Sequence, residues 1–211
     1  MHKALTSVLK NFERRNGDLL VGGKRVEDVV HEYDVPIYIY DRAVLQKRHD
    51  LLRQHLPNEL KIDYAIKANP NVQVLRECAR LYDGFDVASI GEMKAAMAAG
   101  ISPKRMSFAG PGKSIRDLTE AITAGIGTIS VESEREAEHI AAIAQQMNQK
   151  VEVLIRINPA FELSKSGIKM GGGPKQFGID SESVPPLIRQ YSNHERIQSS
   201  IAVSQPVQQI T

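Results

Sequence analysis

A chain of 211 residues with 42% apolar and 25% charged residues has the make-up of an ordinary folded protein and argues against native disorder. Its net charge of +2, with no basic block, few aromatics and no Trp, argues against a nucleic-acid partner. One cysteine, Cys78, excludes an intrachain disulfide framework and zinc spacing. Residues 1–15 lack a signal-peptide core, and no apolar run nears the roughly 20 residues that cross a bilayer, so no metal, no membrane and a cytoplasmic home are expected.

In chain order, residues 1–16 read as a helical or frayed lead-in. Leu19-Leu20-Val21 and Arg25-Val26 then flank Gly22-Gly23, a hairpin signal. From Val35 onward, apolar, β-branched-rich runs alternate with amphipathic windows. Strands are predicted over 36–40, 61–67, 85–89, 105–109, 127–132 and 151–158, and helices over 42–55, 71–81, 90–99, 114–124, 133–147 and 183–191. Ser89 with Glu92, Ser114 with Asp117 and Ser133 with Glu136 each set a hydroxyl three residues before an acid, the capping-box spacing. Gly84, Gly100 and Gly125 mark helix stops.

Six strand-then-helix units with nearly continuous apolar strands imply an α/β fold of parallel strands covered by helices, either a barrel or a doubly wound sheet. A barrel needs eight units and typically about 250 residues. Six units are clear here, with a seventh strand suggested near Ile197–Val203, so the barrel is expected to be incomplete. The chain divides into a lead-in and hairpin (1–34), a partial α/β barrel (35–196) and an atypical Gln-, Ser- and Val-rich tail (197–211). That tail suggests a truncated or frameshifted reading frame.

Lys67 closes an apolar strand, where a long amine must leave the core or meet a partner. It can be a surface lysine snorkelling from a strand end. Parallel α/β folds also bind ligands at the carboxyl ends of strands, where a lysine can condense with an aldehyde. Two other patterns are weaker. Gly110-Pro-Gly112-Lys113-Ser114 opens a helix after a strand as a P-loop would, but the glycine required five residues before Gly112 is Ser107. Gly171–Gly173 lacks the dinucleotide form, and the six histidines show no metal spacing, with His139 on a helix surface.

Tyr64-Ala65-Ile66-Lys67-Ala68-Asn69-Pro70 closely resembles the lysine motif of the pyridoxal-phosphate (PLP) decarboxylases of diaminopimelate, ornithine and arginine. Gly84-Phe85-Asp86-Val87-Ala88-Ser89, followed by Gly91-Glu92, resembles that family's second signature at the expected distance. The resemblance covers about residues 17–190. It implies a (β/α)8-type PLP-binding barrel of the alanine-racemase-like class, incomplete, with the C-terminal β-domain missing. PLP is the implied cofactor and α-decarboxylation the implied activity. The implied substrate is a small-molecule amino acid or a carrier-bound aminoacyl group, and a homodimer is expected for the full-length family.

Carried over by position, Lys67 is the residue whose amine holds PLP, and Asp86 is the acid beside that lysine and the cofactor face. Glu92 matches a further acid near the lysine, or serves only as half of a cap. Arg156 matches an arginine that sets the lysine and cofactor, or is a strand-end arginine paired with Asp86 or Glu92. Ser166 to Ile179, with Met170-Gly171-Gly172-Gly173-Pro174-Lys175-Gln176-Phe177-Gly178, resembles the family's loop after the sixth strand, in a form like members acting on carrier-bound substrates. The family's ring-stacking histidine, phosphate cradle and ring-nitrogen glutamate are not identifiable. Where the histidine is expected the chain reads Ser200-Ile-Ala-Val-Ser204. The hairpin at 19–26 resembles the strand lent to the β-domain. Weak or absent activity of this chain is therefore expected, and a PLP racemase or a non-catalytic regulatory relative remain alternatives.

Overall fold

The computed structural model describes residues 6, 8–33, 36–158 and 177–203. Most of the Gly-rich segment 166–179 and the last residues of the tail lie outside that set.

Near the start, β1 (Arg14–Arg15), β2 (Asp18–Val21) and β3 (Lys24–Arg25) form an antiparallel three-stranded sheet. Gly22 and Gly23 join β2 to β3 with φ of 59° and 79°, the paired positive values of a tight hairpin turn. Asn16 (φ 53°) and Gly17 (φ 92°) do the same between β1 and β2, a second hairpin that the Asn-Gly pair encodes and the sequence reading passed over. A short helix, α1 (Val26–Glu32), follows and buries no residue.

The main sheet holds β4 (Asp63–Ala65), β5 (Gly84–Val87), β6 (Met106–Phe108), β7 (Thr128–Val131), β8 (Val151–Asn158) and β10 (Ile197–Val203), with β9 (Ile179–Asp180) pairing the end of β8. Every pairing in it is parallel. Apart from β9, each strand neighbours the next in sequence, the order β10-β8-β7-β6-β5-β4. A doubly wound sheet reverses its order part-way. This one does not, so its progression is that of a barrel wall. The covering helices are α2 (Arg42–His55), α3 (Val72–Leu81), α4 (Ile90–Ala98), α5 (Ile115–Thr123), α6 (Glu134–Gln146) and α7 (Val184–Tyr191). From α2 to α6 each contacts its sequence neighbour.

The core lies between sheet and helices. Phe85, Val87, Met106 and Phe108 pack with Ile66, Leu75, Cys78 and Met93, and Ile129, Val131, Val153 and Ile155 pack with Ile140, Leu187 and Tyr191. Successive residues of a strand point to opposite faces, so the residues between these face the other way. Ala65, Asp86, Ser107 and Thr128 are register partners across four strands, and Leu154 sits opposite Ser130 and Ser200. This second face is largely polar.

Two predicted elements differ. Residues 36–40 form no strand, and Tyr38 and Tyr40 are 88% and 57% exposed. β4 is therefore an edge strand, paired only to β5, with its other side not taken by 36–40. The strand predicted over 61–67 ends at Ala65. A 3₁₀ turn, Ile66–Ala68, follows, closed by the Asn69 N–H donating to the Ile66 carbonyl at 3.0 Å. The suggested strand at Ile197–Val203 does form and pairs with β8 along its whole length, carrying the sheet past residue 196, where composition alone drew a division. Among the described residues no helix is long and apolar enough to cross a membrane.

Candidate active site

Lys67 lies in the 3₁₀ turn, two residues beyond the end of β4, where Ile66 turns outward into the core at 0% exposure and Lys67 is exposed. The Ala65–Asp86 register places Asp86 on the neighbouring strand at the same, carboxyl, end of the sheet. Burial raises the Asp86 carboxyl above the usual carboxylate range. Lys67 pulls it down, Asp63 and Glu92 push it up, and Arg156 lowers it least. Lys67, Glu92 and Arg156 thus lie within electrostatic reach of Asp86, the fourth residue drawn from the sequence.

Helices start where strands end, so their N-termini gather at this end too. Ser89, Ser114 and Ser133 cap α4, α5 and α6, each accepting a backbone N–H three residues on. A fully reciprocal box forms at Ser114, where Asp117 accepts the Ser114 N–H at 3.0 Å. At the other two sites glutamate, one methylene longer, reaches a residue further back. Glu92 accepts the Ala88 N–H at 2.7 Å and Glu136 accepts the Glu132 N–H at 2.8 Å. Glu92 is therefore both a structural brace of the turn after β5 and one of the charges around Asp86.

Arg156, near the end of β8, pairs with neither carboxylate expected from the sequence. Its Nη1 donates to Glu132 Oε1 at 2.9 Å, and its guanidinium lies 5.0 Å from the Phe177 ring centroid. Glu132, whose side chain is 2% exposed, also accepts the Gly110 N–H at 3.0 Å and the Gly178 N–H at 2.8 Å. Behind it, Lys113 is 1% exposed, donates to the Gly110 carbonyl, and pairs with Glu136 at 3.0 Å. Burial raises Glu136 above the usual range despite Lys113. The Gly-Pro-Gly-Lys-Ser segment is thus a fastened loop whose lysine faces a carboxylate. Gly110 makes it possible with φ of 101°, a backbone region that side chains disfavour.

Residues 42–200 match the family model of the pyridoxal-dependent decarboxylase, pyridoxal binding domain. The chain belongs to that family. The pyridoxal-binding domain here is similar to the diaminopimelate decarboxylase of Aquifex aeolicus, 32% identical over 80% of this chain and 40% of the relative. It is also similar to an L-glutamyl acyl-carrier-protein decarboxylase of Niallia circulans, 35% identical over 74% of this chain and 36% of the relative. A crystal structure of diaminopimelate decarboxylase from Helicobacter pylori complexed with L-lysine superposes with a TM-score of 0.76 at 30% identity, covering 84% of this chain and 46% of that one. The chain therefore spans about 40% of the length of these curated relatives.

Glu132, Glu136 and Lys113 were missed as members of the site. Sequence carried a signal for the first. Val131-Glu132-Ser133-x-x-Glu136 repeats the spacing of Val87-Ala88-Ser89-x-x-Glu92, with a carboxylate where the first copy has alanine. A charge closing an apolar strand needs a partner, the same argument that singled out Lys67.

Proposed function

We propose that this chain is the cofactor-anchoring part of a PLP-dependent amino-acid decarboxylase, a carboxy-lyase, with Lys67 as the amine that holds PLP. The observation carrying this reading is an exposed lysine amine just past the carboxyl end of a parallel strand, with a half-buried carboxylate beside it. That pair fits an aldehyde cofactor. The amine is open to approach from the mouth, and Asp86 is a neighbouring counter-charge and proton acceptor. When bound, PLP supplies an electron sink for the charge left on carbon as carbon dioxide departs.

The chain's own residues do the rest. Lys67 would be the amine that holds the cofactor when it is bound and that exchanges with the substrate amine. Asp86 holds the lysine's charge near the cofactor face and takes or returns its proton. Glu92 braces the Ala88–Ser89 turn that carries this end of β5, and Arg156 sets positive charge on the opposite side of Asp86. The substrate class is an amino acid with a free α-carboxylate, either diaminopimelate or another diamino acid, or an aminoacyl group on a carrier protein, as the named activities of the relatives suggest. A homodimer and a cytoplasmic location belong to the same reading.

The test is product analysis after incubating the chain with PLP and each amino acid as a single enantiomer. Slow release of carbon dioxide and the matching amine is expected, reduced about 100-fold or more in Lys67→Ala. Inversion of configuration with the carboxylate retained would move the reading to a racemase. No turnover of either kind would refute chemistry by this chain and favour a regulatory role.

A further inference from the structure

Glu132 fits no role required of a pyridoxal-anchoring lysine and its neighbouring acid, yet its side chain accepts three hydrogen bonds from described residues at the mouth. Its two oxygens accept N–H groups from three separate segments: Gly110 after β6, Arg156 on β8 and Gly178 entering β9. Its own backbone N–H donates to Glu136, Glu136 pairs with Lys113, and Lys113 returns to the Gly110 carbonyl. The contacts close into a ring, so Glu132 cannot shift without moving the loop after β6. Charge balances within it: two carboxylates, Glu132 and Glu136, face two cations, Lys113 and Arg156.

We propose that Glu132 is a positioning residue, which clamps the Arg156 guanidinium at the mouth and holds it off direct pairing with Asp86, leaving Asp86 as the counter-charge of Lys67. This rests on the reading of Lys67 and Asp86 given above. Three observations argue for it. The described carboxylate that Arg156 binds is Glu132, at 2.9 Å. Among the charges acting on Asp86, Lys67 has the largest effect and Arg156 the smallest. The Phe177 ring also lies against the guanidinium, at 5.0 Å, so among the described residues two groups help to orient it.

The test needs no cofactor. The Asp86 side-chain carboxyl is followed by carbon NMR against pH in the wild type, Glu132→Gln and Glu132→Asp. Asp86 faces Lys67, Asp63, Glu92 and Arg156, and all four are retained in each variant. With the Glu132 charge removed, Arg156 turns to the next carboxylate, so the Asp86 midpoint falls by about half a pH unit or more in Glu132→Gln. Glu132→Asp keeps the charge and restores the midpoint toward the wild-type value. An unchanged midpoint in folded Glu132→Gln, or the same fall in both variants, overturns the proposal. Should Glu132→Gln not fold, the wild-type protein still decides. A clamped Arg156 shows separate, slowly exchanging Nη proton signals, and fully averaged signals overturn the clamp. Reductive labelling of Lys67 by PLP reads the cofactor assignment separately, so either idea can fail alone.

Discussion

Burial lifts the Asp86 carboxyl above the usual carboxylate range, and Lys67 recovers only part of that shift. Between the unfolded value, about 3.9, and the higher folded value, the native state holds more protons than the unfolded chain. Stability therefore falls as pH rises through that window, and Glu136, also raised by burial, adds to the slope. Asp86→Asn should remove its part. It is expected to raise stability at pH 7 by up to about 1 kcal/mol, a small figure because the group is partly solvated, while weakening PLP capture at Lys67. Urea denaturation at pH 4 and pH 7 checks this, and a variant less stable than wild type at pH 7 would contradict it. Lys67 was legible because a charged residue closing an apolar strand stands out in the sequence, whereas Asp86, Glu92 and Arg156 were reached through the resemblance of their motifs. The partner of Arg156 was not legible. Glu132 directly follows β7, twenty-four residues before Arg156, and the pairing of β7 with β8 brings it close.

The starts of α4, α5 and α6 were legible because one serine states each of them. How the acid three residues on is used was not, since Glu92 and Glu136 serve the N–H before the cap while Asp117 serves the cap itself. Ser114→Ala loses an accepted N–H and the serine's hydroxyl bond to Asp117, and should cost about 1 kcal/mol by chemical denaturation. A loss indistinguishable from zero would show the box idle. The close approach of strand ends to preceding loops is a stricter constraint. A side-chain carbon on Gly127 would collide with the Lys104 carbonyl, its carbon 2.9 Å away, and with the Met106 carbonyl oxygen at 3.0 Å. All are backbone atoms that cannot rotate aside. Gly127→Ala should destabilise by about 1–3 kcal/mol, where Gly112→Ala, with open space around it, should change little.

At the scale of the molecule, periodicity yields parallel strands and covering helices but not their order, so residue patterns alone left barrel and doubly wound sheet open. The observed sequential order, and the polar residues on the face away from the helices, belong to a barrel wall with a polar inner side. β4 and β10 form its edges, and Tyr38, Tyr40 and Leu60 stand exposed on the segments leading to β4. Exposed apolar groups beside an edge strand favour association. Sedimentation at rising concentration should show self-association and a hydrophobic dye should bind, whereas a single monomer boundary without dye binding would argue against it. One amine at the carboxyl ends of these strands decides the cofactor assignment. The most direct test is incubation with PLP, borohydride reduction and peptide mapping. The cofactor should be found on Lys67, with the label lost in Lys67→Arg. Label on another lysine, or none, would contradict the account.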